Sequence, residues 1–287
     1  FPRRRCASRY SWKRQRGNSV PKLWEETGNR VLRTLLTLQR SDGNCGFTYA
    51  VDRPEVSDWD GFAGCWVVAA MAQATLTTGE TTYLNGARQG LAYYHSFVRE
   101  LNCWGTPMDT WKSVDEEGVI AFIKAARLLH EITGEPDYLD MLEDGLNYEY
   151  LWRYAYKARP QEPPLLGSEW NSCGGSVTSV SNPHVHPMGL LTVEDGLYLA
   201  EVTGNAYHRH RAEDAIAFAM NCLELYTEVS GYGDYGVMTE RYCPSDGLLV
   251  EHYDDGRPAS LWFTYNGWAA ANVLEGFLAA IQAGFLR

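Results

Sequence analysis

Carboxylates gather at four points where long loops meet predicted helices. A pair of carboxylates can cleave an acetal bond, because one acts as the general acid and the other as the general base or nucleophile. A helix N-cap or first-turn role is the competing explanation for each residue taken alone. Three helices begin with such a group, so we expect at least two members to do chemistry, with Asp115 and Glu194 as first candidates and Asp60 and Glu116 next. The full set is Asp58, Asp60, Asp109, Asp115, Glu116, Glu117, Glu169, Glu194 and Asp195.

Aromatic residues fill the same loops instead of recurring at the spacing of a helix face, where core packing would place them. A flat ring with a polar edge suits the C–H face of a sugar or of another amphipathic ligand. We expect about half of these rings to contact a ligand and the others to anchor loops. The residues predicted to bind substrate are Trp59, Trp104, Asp109, Trp111, Glu169, Trp170, Asn171, Asn182, Trp262 and Tyr265.

Two histidines, His184 and His186, lie in the stretch "SVTSVSNPHVHPMG", which has no apolar period of either kind. Without a third ligand at a defined spacing we predict no metal site. The two candidate roles are acid/base catalysis or hydrogen bonding to substrate beside Asn182, and pinning of the loop through backbone hydrogen bonds. We expect an extended segment in which the rings point in opposite directions, so that only one of them meets a ligand.

Three passages repeat one pattern: an apolar helix, a Thr-Gly-Glu or Thr-Gly-Asn turn, a Tyr soon after the glycine, and a second, more amphipathic helix. Gly79, Gly134 and Gly204 occupy the position where a left-handed residue ends a helix at low cost. The repeat therefore predicts helical hairpins, and its uneven spacing puts the variable length in the connections between them. Two more helices are predicted at residues 21–39 and 265–284.

The connections between hairpins differ from the turns within them. The turns are a few residues long, whereas the connections are long and rich in Trp, Tyr, Asp, Glu, His and Asn. In a ring of hairpins all turns lie on one face and all connections on the other, so one face is structural and the other is a candidate funnel for ligands. Helix N-termini at the funnel, near Gly61, Asp115 and Thr192, favour anionic groups there.

The hairpins, their turns and the "LLTLQRSDGNCGF" element resemble the six-hairpin glycosidases, a superfamily with an (α/α)6 toroid that includes glycoside hydrolases and uronyl hydrolases; related toroids serve polysaccharide lyases. The resemblance covers roughly residues 22–287 and implies an all-α fold, either a toroid or an incomplete toroid, with long loops on one face. Eight or nine helices are predicted where a closed ring needs twelve. Either some helices escape detection or the N-terminal part of the ring is absent.

The charge, hydropathy and motif content of the chain argue against several other classes of function. A net charge of −11 argues against non-specific nucleic-acid binding, and no apolar run reaches the ~20 residues of a membrane span. The seven cysteines form no CxxC pair, which predicts reduced thiols and a cytoplasmic setting, or a periplasmic or secreted one if a signal has been removed. Phosphate-loop, dinucleotide, serine-hydrolase and zincin motifs are absent, and we predict no cofactor and no metal.

The first sixteen residues carry seven Arg or Lys, unlike the acidic remainder of the chain. We expect residues 1–21 to be a basic segment that packs on the body or is a remnant of a preceding region, with a partner-binding arm as the alternative. Residues 22–287 are expected to form one catalytic domain.

Three functions compete. The first is a glycoside hydrolase acting on an oligosaccharide that can include a uronic acid, with Asp115 and Glu194 as acid and base. The second is a polysaccharide lyase, with Asn171, Asn182, His184 and Tyr265 as the candidate base and carboxylate-neutralising groups. The third is a toroid that binds carbohydrate without catalysis. The expected partner is an oligosaccharide, with no nucleic acid and no membrane, and homo-oligomerisation stays open.

Overall fold

Eight α-helices and three short β-hairpins form the regular structure of the residues described by this computed structural model. Those residues are 21–105, 111–180, 182–223, 236, 238–244, 251–262 and 267–286, without the side chains of residues 182 and 183. The helices are α1 (Lys22–Leu38), α2 (Cys65–Thr78), α3 (Thr81–Arg99), α4 (Glu117–Thr133), α5 (Asp137–Tyr150), α6 (Val193–Thr203), α7 (Ala206–Cys222) and α8 (Gly267–Gln282), with a 3-10 helix, Met188–Thr192, before α6. The prediction of an all-α fold is confirmed.

The glycines of the repeated turns end their helices as the sequence predicts. Gly79, Gly134 and Gly204 follow α2, α4 and α6 with φ angles of 76°, 72° and 75°. These angles lie in the left-handed region, where a side chain with a Cβ is strained and glycine is not.

The threonine before each glycine explains why the turn recurs as Thr-Gly. The Thr133 hydroxyl donates to the Leu129 carbonyl at 2.8 Å and accepts from the Glu135 N–H at 3.2 Å. Thr78 and Thr203 make the same two contacts in their own turns. The turn is therefore a helix stop built from local hydrogen bonds, independent of the rest of the fold.

A single substitution in one of these turns tests this account. Gly134→Ala is expected to lower the free energy of unfolding by about 1 kcal/mol, because no atom crowds the new methyl group and only the left-handed backbone is penalised. Gly28→Ala, in the interior of α1 and equally uncrowded, is expected to raise it by about 0.5–1 kcal/mol. Urea unfolding of both variants measures the two changes in the free energy of unfolding, which should have opposite signs. Changes of the same sign would contradict the account.

The helices alternate between two layers. The inner layer is formed by α2, α4, α6 and α8, which contact one another in that order. Helices α3, α5 and α7 pack outside, each against the preceding inner helix of its hairpin, and α1 packs against α2. The described helices thus form an arc of hairpins, an incomplete α/α toroid.

Two apolar cores lie along the arc. One is built by α2 to α5 around large buried residues such as Tyr83 and Phe122. The other joins α6, α7 and α8 to the long loops. At the α8 end of the arc the apolar residues Leu274, Leu278 and Ile281 are exposed. No helix among the described residues is long and apolar enough to cross a membrane.

The turns of the hairpins lie at one end of the layers, and the long connections lie at the other end, which we call the open face. The described residues of these connections are 39–64, 100–105, 111–116, 151–180, 182–187, 223, 236, 238–244 and 251–262. They contain three antiparallel pairs: β1 (Thr48–Tyr49) with β2 (Val56–Asp58), β3 (Ser176–Ser179) with β4 (Asn182–His186), and β5 (Glu251–His252) with β6 (Pro258–Ala259). Isolated bridges between loops, such as Asp115 with Ser179, brace this face.

Candidate functional site

Charged and aromatic side chains surround one lysine of the open face, Lys112. Its Nζ atom lies 2.8 Å from Asp58 Oδ2 and 3.6 Å from Asp60 Oδ2, and 5.1 to 5.8 Å from the centres of three aromatic rings. Trp111 is 70% exposed and the Asp60 side chain is 73% exposed, so a ligand in solution can reach them. The Lys112 cluster consists of Phe47, Asp58, Asp60, Trp104, Trp111 and Lys112.

Local backbone structure brings these residues together from two loops. Asp58 ends β2, and its Oδ1 accepts a hydrogen bond from the Asp60 N–H at 2.9 Å, which places the two carboxylates on one turn. The Phe62 N–H donates to the Trp104 carbonyl at 2.8 Å and ties the two loops to each other. Lys112 has a φ of 53°, a conformation that costs free energy in a lysine and persists where the surroundings impose it.

The electrostatics of the cluster differ between its two carboxylates. The hydrogen bond from Lys112 lowers the pKa of Asp58, which is therefore ionised at neutral pH, and the same contact raises the pKa of Lys112. Asp60 lies further from the ammonium group. Since Asp58 Oδ2 and Asp60 Oδ2 both lie near one nitrogen, these two oxygens are at most about 6.4 Å apart. This upper limit is compatible with the roughly 5–5.5 Å at which retaining glycosidases hold their catalytic carboxyl groups.

Asp115, the first carboxylate predicted to be catalytic, is fully buried. Its Oδ1 accepts from the Gly118 N–H at 3.1 Å in the first turn of α4, and its backbone pairs with Ser179. This is the helix-start role that competes with catalysis for any such residue. Asp115 thus supports the start of α4, and its catalytic role stays a prediction that this burial does not favour.

Glu116 is also fully buried and faces Glu149, at the end of α5. Burial and the charge of Glu149 raise the pKa of Glu116 well above its ordinary value. Glu149 accepts from Arg153 Nε at 2.7 Å and from the Thr192 hydroxyl at 3.5 Å. Two buried carboxyl groups side by side hold one proton between them, because two charges there repel. Glu116 thus belongs to this buried pair, and its catalytic role stays a prediction that the burial does not favour.

Glu194, the second predicted catalytic carboxylate, belongs to an ion-pair group between α4 and α6. The buried Arg127 of α4 lies 2.6 Å from Asp195, 2.6 Å from Glu131 and 3.1 Å from Glu194. Asp195 is fully buried, and the side chain of Glu194 is about one-third exposed, at 35%. The arrangement explains the acidic start of α6 as a contact that joins two inner helices. Glu194 is partly accessible to solvent, and its carboxylate forms an ion pair with Arg127.

The two histidines lie in β4, and both are buried. Residues two apart in a strand share a face, and the charge of His184 contributes to the lowered pKa of His186. The expectation that the rings point in opposite directions was therefore wrong. Burial lowers the pKa of His186 to about 3, so that it stays neutral, and its ring packs against Trp268 at a centroid distance of 6.0 Å.

The stretch that holds the histidines is more enclosed than its polar sequence indicates. It forms the β3–β4 hairpin, and most of its described side chains are buried. The Gly189 N–H donates to the Ser176 hydroxyl at 2.9 Å. This contact satisfies the buried Ser176 hydroxyl, and the segment packs as part of the core beneath the open face.

The remaining residues predicted to bind substrate differ in how far their side chains are exposed to solvent. Trp170 is buried and stacks on Tyr242, with ring centroids 5.8 Å apart, so this tryptophan packs in the core, and its contact with substrate stays a prediction. Trp59 and Trp262 are half-buried, with an arginine over each ring. Asn171 accepts from the Cys173 N–H and stabilises a turn.

Glu169 is exposed on its loop. Asp109, Tyr265 and the side chain of Asn182 lie outside the described residues, as does Cys6. The other six cysteines are free thiols in the structure.

Three residues at or beneath this face were not singled out from the sequence: Lys112, Arg127 and Glu149. Lys112 stands beside Trp111 in an acidic, aromatic loop, and a lone cation in such a loop is the signal that could have identified it. Arg127 and Glu149 carry no such signal, because each lies within a helix among many charged residues.

No protein-family model matches the chain, and no curated protein matches it. Among solved structures, it is similar to a GH76 alpha-mannanase of Bacteroides thetaiotaomicron, at 13% identity and a TM-score of 0.49, over 83% of this chain and 58% of that one. It is also similar to a family 76 glycoside hydrolase from a bovine strain of that species, at 13% identity and a TM-score of 0.46. This match covers 83% of this chain and 47% of that one. The chain is similar as well to a polysaccharide lyase, at 16% identity and a TM-score of 0.41, over 87% of this chain and 40% of that one. The chain spans between 40% and 58% of these proteins' lengths.

Proposed function

We propose that the open face binds an oligosaccharide and that the protein is a glycoside hydrolase. The observation that supports this most is the Lys112 cluster. Its accessible aromatic rings offer flat apolar surfaces to the C–H faces of sugars, and its carboxylates and ammonium group offer hydrogen bonds to hydroxyls. The buried carboxylates Asp115, Glu116 and Asp195 cannot offer such contacts without a rearrangement of the fold.

In this proposal the catalytic pair is Asp58 and Asp60. Asp58, held ionised by Lys112, acts as the base or nucleophile, and Asp60, further from the ammonium group, donates the proton to the leaving oxygen. Two carboxylates in unlike environments are what the acid and base roles require.

A screen of aryl glycosides and oligosaccharides tests the proposal. On a responsive substrate, Asp58→Asn and Asp60→Asn are each expected to lower kcat/KM by at least about 100-fold. Asp52→Asn is the matched control, because Asp52 is exposed on the same loop and contacts Arg53 outside the cluster, and its activity should equal that of the unchanged protein. Undiminished turnover in both cluster variants removes the proposed pair.

Lys112 also favours a second candidate, a polysaccharide lyase. An ammonium group among aromatic rings can neutralise the carboxylate of a uronic acid, which is the step that makes its α-proton removable. A lyase forms an unsaturated, ultraviolet-absorbing product without consuming water, so the absorption spectrum of a reaction with a uronate polysaccharide distinguishes the two chemistries. Binding without any product favours the non-catalytic alternative.

A further inference from the structure

We propose that His184, Cys243 and Glu251 form a binding site for a divalent transition-metal ion, with Zn²⁺ as the best-matched ion. One ligand atom from each residue lies within 4.8 Å of the others, and His184 Nε2 is 3.6 Å from Glu251 Oε1. In a tetrahedral site with bonds of about 2.0–2.3 Å, ligand atoms stand roughly 3.5 Å apart. Side-chain movements of about 1 Å therefore suffice to close the three groups on an ion.

The donor set fits this class of metal. An imidazole nitrogen, a thiolate sulfur and a carboxylate oxygen are the three kinds of ligand that zinc takes in proteins, whereas Mg²⁺ and Ca²⁺ prefer oxygen alone. Burial and the charge of Glu251 raise the pKa of the Cys243 thiol to about 12. A bound cation compensates for both effects, so that the thiol loses its proton when the metal binds.

Backbone hydrogen bonds hold the ligands in register. The Val185 N–H donates to the Tyr242 carbonyl at 2.8 Å, and the Tyr242 N–H donates to the Val185 carbonyl at 2.9 Å. In an antiparallel pair this register sets His184 opposite Cys243, so their side chains share a face. Glu251 lies in β5, which β6 connects to the same layer. The two longest loops of the open face thus meet at this cluster.

An ion pair is the competing explanation for Glu251, because Arg241 Nη2 lies 2.8 Å from Glu251 Oε1. A carboxylate has two oxygens and can accept from an arginine while it coordinates a metal. An outer group of this kind orients the ligand, and Arg241 is itself stacked on Trp262 at 4.3 Å. The side chain of Glu251 is 20% exposed, and with three protein ligands a fourth position is left for water.

Cobalt binding tests the site through the sulfur ligand. The full chain is treated with a chelator, returned to metal-free buffer and titrated with Co²⁺, and then Zn²⁺ is added as competitor. We expect one equivalent of Co²⁺ to produce a thiolate-to-cobalt charge-transfer band that Zn²⁺ abolishes. Cys243→Ser should lose the band, and Cys173→Ser should keep it, because the half-buried Cys173 lies outside the cluster. No band in the unchanged protein, or a band that persists in Cys243→Ser, overturns the proposal.

A second variant decides the matter if Cys243→Ser fails to fold. Glu251→Gln keeps the size of the side chain and an oxygen for Arg241 but loses the charged ligand. It should retain the thiolate band and bind Zn²⁺ more than about 100-fold more weakly, since even groups outside the ligand shell change affinity by that much. An unchanged affinity overturns the assignment of Glu251. These readouts measure binding alone, so they are independent of the proposed hydrolase activity.

Discussion

Replacing Arg127 by leucine is expected to lower the free energy of unfolding by about 3–5 kcal/mol, the usual cost of removing one partner from a buried ion pair. Arg127 is buried and serves three carboxylates on two inner helices. Without it, Asp195 keeps no charged partner that the structure shows, and its other oxygen, Oδ2, already lacks a hydrogen bond among the described residues. Urea unfolding at neutral pH measures the loss.

The control for this prediction is Arg53→Leu. Arg53 contacts Asp52 and Glu55 on an exposed loop, where ion pairs contribute roughly 0–1 kcal/mol. A second check adds Asp195→Asn to the Arg127 variant, which removes the buried charge and should recover part of the lost stability. A loss below about 1 kcal/mol in Arg127→Leu contradicts the prediction.

Glu116→Gln is expected to remove a pH dependence from the stability of the protein. The pKa of Glu116 is raised in the folded state by burial and by the charge of Glu149, from an ordinary value of 4.5. Its contribution to stability is therefore complete below about pH 4.5 and is lost as the pH rises toward the raised pKa, because the unfolded chain releases a proton that the folded chain retains. While the pH lies between the ordinary pKa and the raised pKa of Glu116, the free energy of unfolding falls by about 1.4 kcal/mol per pH unit.

The glutamine imitates the protonated acid, since its amide can donate to Glu149 as the shared proton does. Its unfolding free energy should thus fall less with pH, and the two curves should diverge above pH 5 in favour of the variant. Glu100→Gln, at an exposed position, should follow the unchanged protein. Parallel curves for Glu116→Gln and the unchanged protein would show that the pair holds no proton.

The hairpins and their turns are predictable because their signals are local. A glycine in the left-handed region and a threonine that bonds within four residues need no knowledge of the rest of the chain, and the Thr-Gly turns are confirmed. The short strands of the open face escape prediction, since pairs of two to five residues are too short to show an alternating pattern.

The candidate site is less predictable, because its residues look alike in sequence. Asp115 and Asp60 both precede a helix in an acidic loop, yet Asp115 is buried and forms a backbone bridge with Ser179, whereas Asp60 faces solvent. Trp170 and Trp111 likewise lie in loops, and only contacts with distant residues decide which is core and which is exposed. The three proposed metal ligands come from two loops, and their positions in the sequence match no known spacing of zinc ligands. A search for zinc-binding sequence patterns therefore does not find them.

The self-contained Thr-Gly turns bear on the order in which the chain folds. Each turn closes two helices that are adjacent in sequence, so a hairpin forms without the entropy loss of a long loop, and such contacts form fast. Neighbouring hairpins can then dock in succession along the arc, in the manner of a repeat protein. We expect the open-face loops, whose partners are distant in sequence, to order last, so that the candidate site is the final part of the molecule to assemble.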